Sequence, residues 1–258
     1  MPSRLSHSLL KRCLSRKKEC SIMFEGLVLN SDLIFLVVLP YIVTVLFLMM
    51  TIYRYKFQKF SYSSLSSQFL ENQNHFWGLV PFHYGIIALI AGHLIAFLIP
   101  RSVLVWNSHP LRLYILEAAA LTFGLLTLVG LIAIILRRHN NPKLKMVTSV
   151  ADWIVLGIIL IQVFSGLYVA IFHGWGSSWF ASSVSPYLWS LITLNPDVQY
   201  IAALPFMVKF HFIGAYLIFG FFPFTRLVHV LVVPNHYLWR KPQVVRWYGI
   251  KRHAQDAR

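Results

Sequence analysis

The strongest constraint on this chain is a series of apolar runs that are each long enough to cross a lipid bilayer. A spanning helix needs roughly 20 apolar residues to match a hydrocarbon core of about 30 Å. Lipid admits only helices or closed barrels, and no strand-like alternation competes with these runs. The sequence therefore predicts an all-α fold, an integral membrane five-helix transmembrane bundle. Spans one to five lie near residues 31–53, 77–100, 113–136, 150–173 and 203–232.

The composition argues against a large soluble domain. Charged residues make up 12% of the 258 residues, whereas soluble domains carry about 25%. The formal net charge of +15 would suggest nucleic-acid binding in a soluble protein. Here the basic residues lie between the spans, where lysine and arginine set membrane topology, so we expect no nucleic-acid partner. The two cysteines, Cys13 and Cys20, precede span one and form neither a c-type haem motif nor an iron–sulfur ligand set.

Lysine and arginine also predict the orientation in the cytoplasmic (inner) membrane. With five spans, the loops after spans one and three and the C-terminal tail share one side, and they carry most of the basic residues after position 22. Basic loops remain cytoplasmic, so we expect a multi-pass protein with a cytoplasmic C-terminus and an outer N-terminus.

Three regions follow from this topology. Residues 1–22 form a basic arm whose charge opposes the predicted orientation, which is typical of a targeting segment or of an over-extended reading frame with its true start at Met23. Residues 23–248 form the five-span domain. Residues 233–258 form a basic cytoplasmic tail that offers a docking surface.

Four of the eleven histidines lie inside predicted spans: His83 and His93 in span two, His211 and His229 in span five. Ionisable side chains inside a bilayer are rare and usually functional. Because the two spans run antiparallel, His83 lies at the depth of His229 on the inner side. His93 lies at the depth of His211 on the outer side. The sequence thus predicts two histidine pairs at two depths.

Two neutral imidazoles on facing helices are typical axial ligands of a haem, and we predict a diheme cytochrome b with two haem b groups. The spacing opposes this model. Ideal helices separate His83 from His93 by about 15 Å but His211 from His229 by about 27 Å, and they rotate His93 by about 280° from His83. We expect tilted helices or haem planes and a kink at Pro223 to absorb the difference.

A histidine-dependent metal transporter is the alternative interpretation of the same residues. Zinc and copper sites usually add carboxylates or thiolates to histidine. The acids within the spans are Asp32, Glu117 and Asp152, and no cysteine lies in a span. This set is sparse, so the haem interpretation is favoured.

Several stretches resemble the gamma subunit of respiratory nitrate reductase, the membrane cytochrome b of that complex, over residues 31 to 248. The histidine spacing and the pattern F-P-F-[ST]-R-L-[IV]-H are the most specific part. The stretches are SSQFLENQ at 66–73, FHYGIIALIAGHL at 82–94, VADWIVLGIILIQVFSGL at 150–167, KFHFIGAYLIFGFFPFTRLVHVL at 209–231 and YLWRKPQVVR at 237–246.

The resemblance implies haem ligands and haem contacts. The matched ligand pairs are His83 with His229 for the inner haem and His93 with His211 for the outer haem. Lys209 and Arg226 match basic family positions close to a ligand, which implies contacts to the haem propionates. For Lys209 the alternative is snorkelling towards the membrane interface.

The resemblance also implies a quinol site, for menaquinol or ubiquinol, beside the outer haem and formed by Gly92, His93 and Arg112. Gly92 matches a family glycine whose missing side chain permits close approach of the quinone or haem. Arg112 stands where the family carries a lysine, so a planar guanidinium replaces a compact ammonium. Glu117 departs from the family pattern. Its two alternative roles are an additional proton acceptor and the partner of a basic neighbour.

The implied function is electron transfer. Quinol releases its protons outside, and its electrons pass through both haems to an iron–sulfur beta subunit and then to a molybdenum alpha subunit that reduces nitrate. This chain has no residues for the nitrate chemistry. A diheme anchor of another oxidoreductase, for sulfite, heterodisulfide, hydrogen or formate, stays open, as does reversed flow in nitrite oxidation. The stretch at 176–192 predicts an interfacial helix on the outer surface, either a plain anchor or a cap over the quinol site.

Overall fold

The computed structural model describes residues 31–58 and 75–231. In these residues the chain forms helices and no β-strand, so the predicted all-α class is confirmed. The arm at 1–22 and the tail at 233–258 lie outside the described residues. The helices are α1 (Ser31–Phe57), α2 (His75–Leu98), α3 (Pro100–Asn107), α4 (Pro110–Asn140), α5 (Pro142–Met146), α6 (Val150–Phe172), α7 (Gly176–Trp179), α8 (Ser185–Ile192), α9 (Gln199–Ala202) and α10 (Phe206–Phe221).

In the described part of the chain, five helices are long and apolar enough to cross a membrane, as predicted. They are α1, α2, α4, α6 and α10, which correspond to spans one to five. Many of their large apolar side chains are exposed rather than packed against protein. Such extensive apolar exposure is typical of surfaces that contact a membrane, and the protein is therefore a multi-pass membrane protein.

Prolines and a capping box set several helix boundaries. Pro110 begins α4, where its missing N–H is no loss and its fixed φ suits the first turn. Span three is therefore longer than the predicted 113–136, and Arg112 lies in its first turn. At the start of α6, the Ser149 side chain accepts a hydrogen bond from the Asp152 N–H, and the Asp152 carboxylate accepts one from the Ser149 N–H. This reciprocal pair fixes the beginning of span four.

The spanning helices pack in the order α2, α4, α6, α10, α1. The contact between α2 and α4 is the most extensive, because glycines allow the two backbones to meet. A Cβ atom on Gly130 would contact the backbone N of Phe82 and would lie 2.8 Å from the Gly78 O. Close approach at small residues is how membrane helices gain packing energy. In contrast, the two histidine-bearing helices α2 and α10 have at most sparse backbone contact.

The segment 176–192 is helical, as predicted, but it is not a plain surface anchor. It consists of α7, a π-helical turn at Phe180–Val184 and α8. Ser185 and Tyr187 are fully buried; the Ser185 hydroxyl donates to the Ala96 O at 2.8 Å, and the Tyr187 hydroxyl donates to the Leu36 O at 2.5 Å. Burial raises the pKa of the Tyr187 phenol well above its usual range. The segment is therefore packed against α1 and α2 at the end of the bundle that carries His93.

Span five is not one helix over 203–232; where the sequence predicted a kink at Pro223, the structure has a break. Helix α10 ends at Phe221, and 3-10 turns follow at Phe222–Phe224 and Arg226–Val230. Between them Thr225 is extended, with φ −120° and ψ 174°. Pro223 causes the break, since it has no N–H to continue the helix. Arg54 of α1 donates a hydrogen bond to the Pro223 carbonyl, which satisfies a backbone group at the break.

Candidate functional site

The structure brings His83 and His229 together. Their ring centroids are 6.2 Å apart, and the ring planes are inclined by 67°. His83 lies on α2, whereas His229 lies on the 3-10 turn Arg226–Val230. The break at Pro223 is what makes this pairing possible, because a continuous helix would carry His229 about 27 Å from His211. Because the helix ends at Phe221, the spacing of about 27 Å along a continuous helix does not apply to His229.

The distance between the two rings fits a metal ion held between them. Two metal–imidazole bonds of about 2 Å, extended on each side by a ring radius of about 1 Å, put the centroids roughly 6 Å apart. Within the described residues no set of three or more His, Cys, Asp or Glu side chains forms a metal-ligand cluster. The pair thus offers two ligands, which is the number that a bis-histidine haem takes from protein.

The hydrogen bonds also leave the correct nitrogen available for a metal. The Nδ1 atoms of His83 and His229 lie 2.8 Å from the backbone oxygens of Leu79 and Arg226. A carbonyl can only accept, so each Nδ1 carries the proton and each Nε2 carries a lone pair. Metal-ligating histidines commonly use the second nitrogen in this way to fix their tautomer and ring orientation.

The second predicted pair is divided between two helices, with His93 on α2 and His211 on α10. His93 Nδ1 donates to the Leu89 O at 2.8 Å, which leaves Nε2 with a lone pair. The edge of the Phe180 ring packs on His93, with centroids 5.4 Å apart and planes at 88°. The segment 176–192 therefore contacts His93 through Phe180.

His211 is held by polar residues of α6. The Ser165 hydroxyl donates to the Gln162 O at 2.9 Å, so it accepts from His211 Nδ1, also at 2.9 Å. The Gln162 amide nitrogen lies 3.2 Å from His211 Nε2. Nε2 therefore has a lone pair, and a metal bound there would displace the Gln162 amide. Gly166 makes room for the ring, since a Cβ atom would lie 2.9 Å from His211 Cε1.

The predicted quinol residues lie at the same end of the bundle. Gly92 has no neighbouring atom within 4 Å of where its Cβ would be, so the space at this position of α2 is open. The Arg112 guanidinium lies 5.2 Å from the centre of the Trp106 ring, a cation–π contact. This contact holds the charged group against the bundle while leaving the side chain exposed.

The two basic residues predicted to contact haem propionates both form ion pairs with carboxylates of the chain. Lys209 Nζ lies 2.5 Å from the Asp32 carboxylate, and Arg226 Nε lies 3.0 Å from the Asp152 carboxylate. Arg226 also donates to the Val147 O at 2.8 Å. Each basic side chain therefore connects its own segment to a neighbouring span, close in sequence to a predicted haem ligand. A haem propionate at either position would share the lysine or arginine cation with an aspartate.

Comparison with known proteins places this architecture in a family. The family model for the nitrate reductase gamma subunit matches residues 32–248. The chain belongs to the nitrate reductase gamma subunit family.

Named relatives agree with this assignment. The nitrate reductase gamma chain of Bacillus subtilis is 32% identical over 213 residues, covering 81% of this chain and 95% of the relative. The respiratory nitrate reductase 1 gamma chain of Escherichia coli is 28% identical over 220 residues, covering 83% and 97%. The respiratory nitrate reductase 2 gamma chain of the same organism is 30% identical over 213 residues, covering 80% and 93%. The resemblance read from the sequence is confirmed.

Some residues of this gamma-family site were not singled out from the sequence. Gln162 and Ser165 bind His211, and Phe180 packs on His93. The first two carried a usable signal, since polar side chains within a span usually find a partner across helices. Phe180 carried none, because an aromatic residue near an interface is most simply an anchor.

Proposed function

We propose that this chain is the quinol-oxidising membrane subunit of a nitrate reductase and that it binds two haem b groups. His83 and His229 would hold one haem, and His93 and His211 the other. When bound, the haems would supply one-electron redox chemistry at two depths of the membrane. The observation that supports this most strongly is the 6.2 Å spacing of the His83 and His229 rings, on segments whose backbones stay apart.

The chain's own residues would bind and position the quinol. Arg112 presents guanidinium donors that suit a quinol oxygen, and the open space at Gly92 admits a flat ring beside His93. Lys209 and Arg226 would each contribute part of their charge to a propionate, shared with Asp32 and Asp152.

We further propose that the His93 end faces the outside and that the C-terminal tail faces the cytoplasm, as the basic loops favour. The partners would be an iron–sulfur beta subunit and, through it, a molybdenum alpha subunit. The relatives are named gamma chains of nitrate reductase, which supports membership of a multi-subunit complex. The site chemistry does not distinguish menaquinol from ubiquinol.

The test is the haem content of the purified chain, measured by a reduced-minus-oxidised spectrum and pyridine extraction. We expect two non-covalent b haems per polypeptide. A folded preparation that holds no haem would contradict the proposal and favour a transport role for the histidines.

Replacing Arg112 by alanine should slow quinol oxidation while both haems are retained. A hydrogen bond to a charged group contributes about 1.5–3 kcal/mol, so we expect a loss of about 10- to 100-fold in kcat/KM. The measurement is quinol-driven nitrate reduction in membranes. Arg101→Ala serves as the control, since Arg101 is an exposed arginine of α3 at the same end. Unchanged quinol kinetics in the Arg112 variant would show that the quinol binds elsewhere.

A further inference from the structure

Glu117 of α4 is an acidic residue inside a span. Only one of its two carboxylate oxygens accepts hydrogen bonds in the described part of the chain. One oxygen, Oε1, accepts hydrogen bonds from the Ser177 N–H at 2.9 Å and from the Ser177 hydroxyl at 2.7 Å. Within the described residues the other oxygen, Oε2, has no hydrogen-bond partner. It lies near Gly176, at 3.6 Å from where a Cβ atom would be. The carboxylate thus keeps one acceptor oxygen available.

Glu117 differs in this respect from the other two acids of the spans. Asp32 and Asp152 each form an ion pair, with Lys209 and Arg226. In the described part of the chain Glu117 bonds to a hydroxyl and an amide and to no cation. A half-buried anion without a counter-ion costs free energy in a membrane and is usually kept for a function.

The position of Glu117 connects it with the quinol residues. Its partner Ser177 lies three residues before Phe180, and such positions on a helix have Cβ atoms about 5–6 Å apart. Phe180 packs on His93. From the other side, Asn107 donates to Ser177 Oγ at 2.9 Å. The residue before Asn107 is Trp106, which carries the Arg112 cation.

We propose that Glu117 Oε2 accepts a hydrogen bond from one quinol hydroxyl and then takes its proton as a general base. This inference rests on the proposed function. In the step, the quinol O–H bond breaks, the proton forms a new O–H bond on Glu117, and the electron pair stays on the quinol oxygen. The proton then leaves by the nearby membrane surface. Such a base contributes typically 10²- to 10⁴-fold to a rate.

Four other titratable or charged groups face this corner of the bundle. Arg112 and Tyr114 lie on α4 itself, and Tyr114 packs on Trp175 with ring centroids 5.3 Å apart. His93 approaches from α2 across Phe180, and His173 follows α6, where its backbone oxygen accepts from the Trp179 indole at 3.4 Å. Among these five groups only Glu117 has a carboxyl group. The base at this corner is therefore assigned to the carboxylate.

The experiment compares variants in membranes that contain the complete complex, with menadiol as the quinol. In Glu117→Gln the amide oxygen can still accept from Ser177, but the group cannot take a proton. We expect both haems to remain and the menadiol oxidation rate to fall about 100-fold. The acidic limb of the pH–rate profile should also disappear, because that limb reports protonation of the carboxylate. Glu117→Asp should restore the limb, and it serves as the test if the glutamine variant does not assemble.

Two further variants separate proton transfer from a structural tie to α7. Thr122→Val, at an exposed position of the same helix, should leave the rate unchanged. If Ser177→Ala lowers the rate as much as Glu117→Gln and both keep the acidic limb, then Glu117 only holds α7 in place and the proposal is overturned. A wild-type rate in Glu117→Gln would overturn it as well. If the wild-type chain binds haem but oxidises no menadiol, the proposed function itself fails.

Discussion

Replacing His229 by alanine should halve the haem content of the protein, from the two groups per chain proposed above to one. His229 faces His83, with ring centroids 6.2 Å apart, while His211 lies before the break in span five. The remaining haem should keep its spectrum, since Ser165 still holds His211 through Nδ1. Quinol-driven nitrate reduction should cease, because the path inward loses one of its two redox groups. Pyridine extraction and low-temperature difference spectra measure the outcome.

Matched variants make this test specific. His83→Ala should give the same product as His229→Ala, and His211→Ala should remove the other haem instead. His139→Ala, an exposed histidine at the end of α4, should keep both. Loss of both haems, or of neither, in His229→Ala would contradict the pairing of the four histidines.

Replacing Gly130 by alanine should strongly destabilise the bundle. The new methyl group would meet the backbone of α2 at Phe82 and the Gly78 O. Backbone atoms cannot rotate away, so α2 and α4 must separate. Overpacking of this kind costs about 1–3 kcal/mol, and the displaced helix carries His83. We expect a lower unfolding temperature in detergent, together with partial loss of the haem on His83.

Gly157→Ala is the matched control for this prediction. It makes the same chemical change in the middle of α6, where no atom lies within 4 Å of the new Cβ. Alanine favours a helix over glycine by about 1 kcal/mol, so this variant should be as stable as the wild type or more so. Equal stability of the two variants would show that the contact between α2 and α4 is looser than the structure describes.

The sequence predicted the spanning helices well because a bilayer enforces a minimum apolar length on each of them. It also placed His83 and His229 at one depth, because antiparallel spans of fixed length determine depth, and their rings are neighbours in the structure. That the four histidines bind haem in two pairs stays a prediction. These predictions depend on geometry along a single helix. They need no knowledge of how the helices pack against one another.

Features that depend on contacts between helices could not be predicted in the same way. The sequence located a kink at Pro223 but not the end of the helix at Phe221, because a proline inside a membrane span often bends a helix without ending it. It found Lys209 and Arg226 but not their aspartate partners, which are distant in sequence. The hydrogen bonds that bury the segment 176–192 likewise join distant residues.

Helix α1 carries no histidine, and by composition it could be taken for a simple anchor. Its Arg54, however, reaches the carbonyl that the break at Pro223 leaves without a helical partner. A broken helix survives in lipid only when neighbouring groups satisfy its backbone. The first span therefore stabilises the broken backbone of the last span. The turn that presents His229 is therefore fully hydrogen-bonded only when the first and last spans pack together.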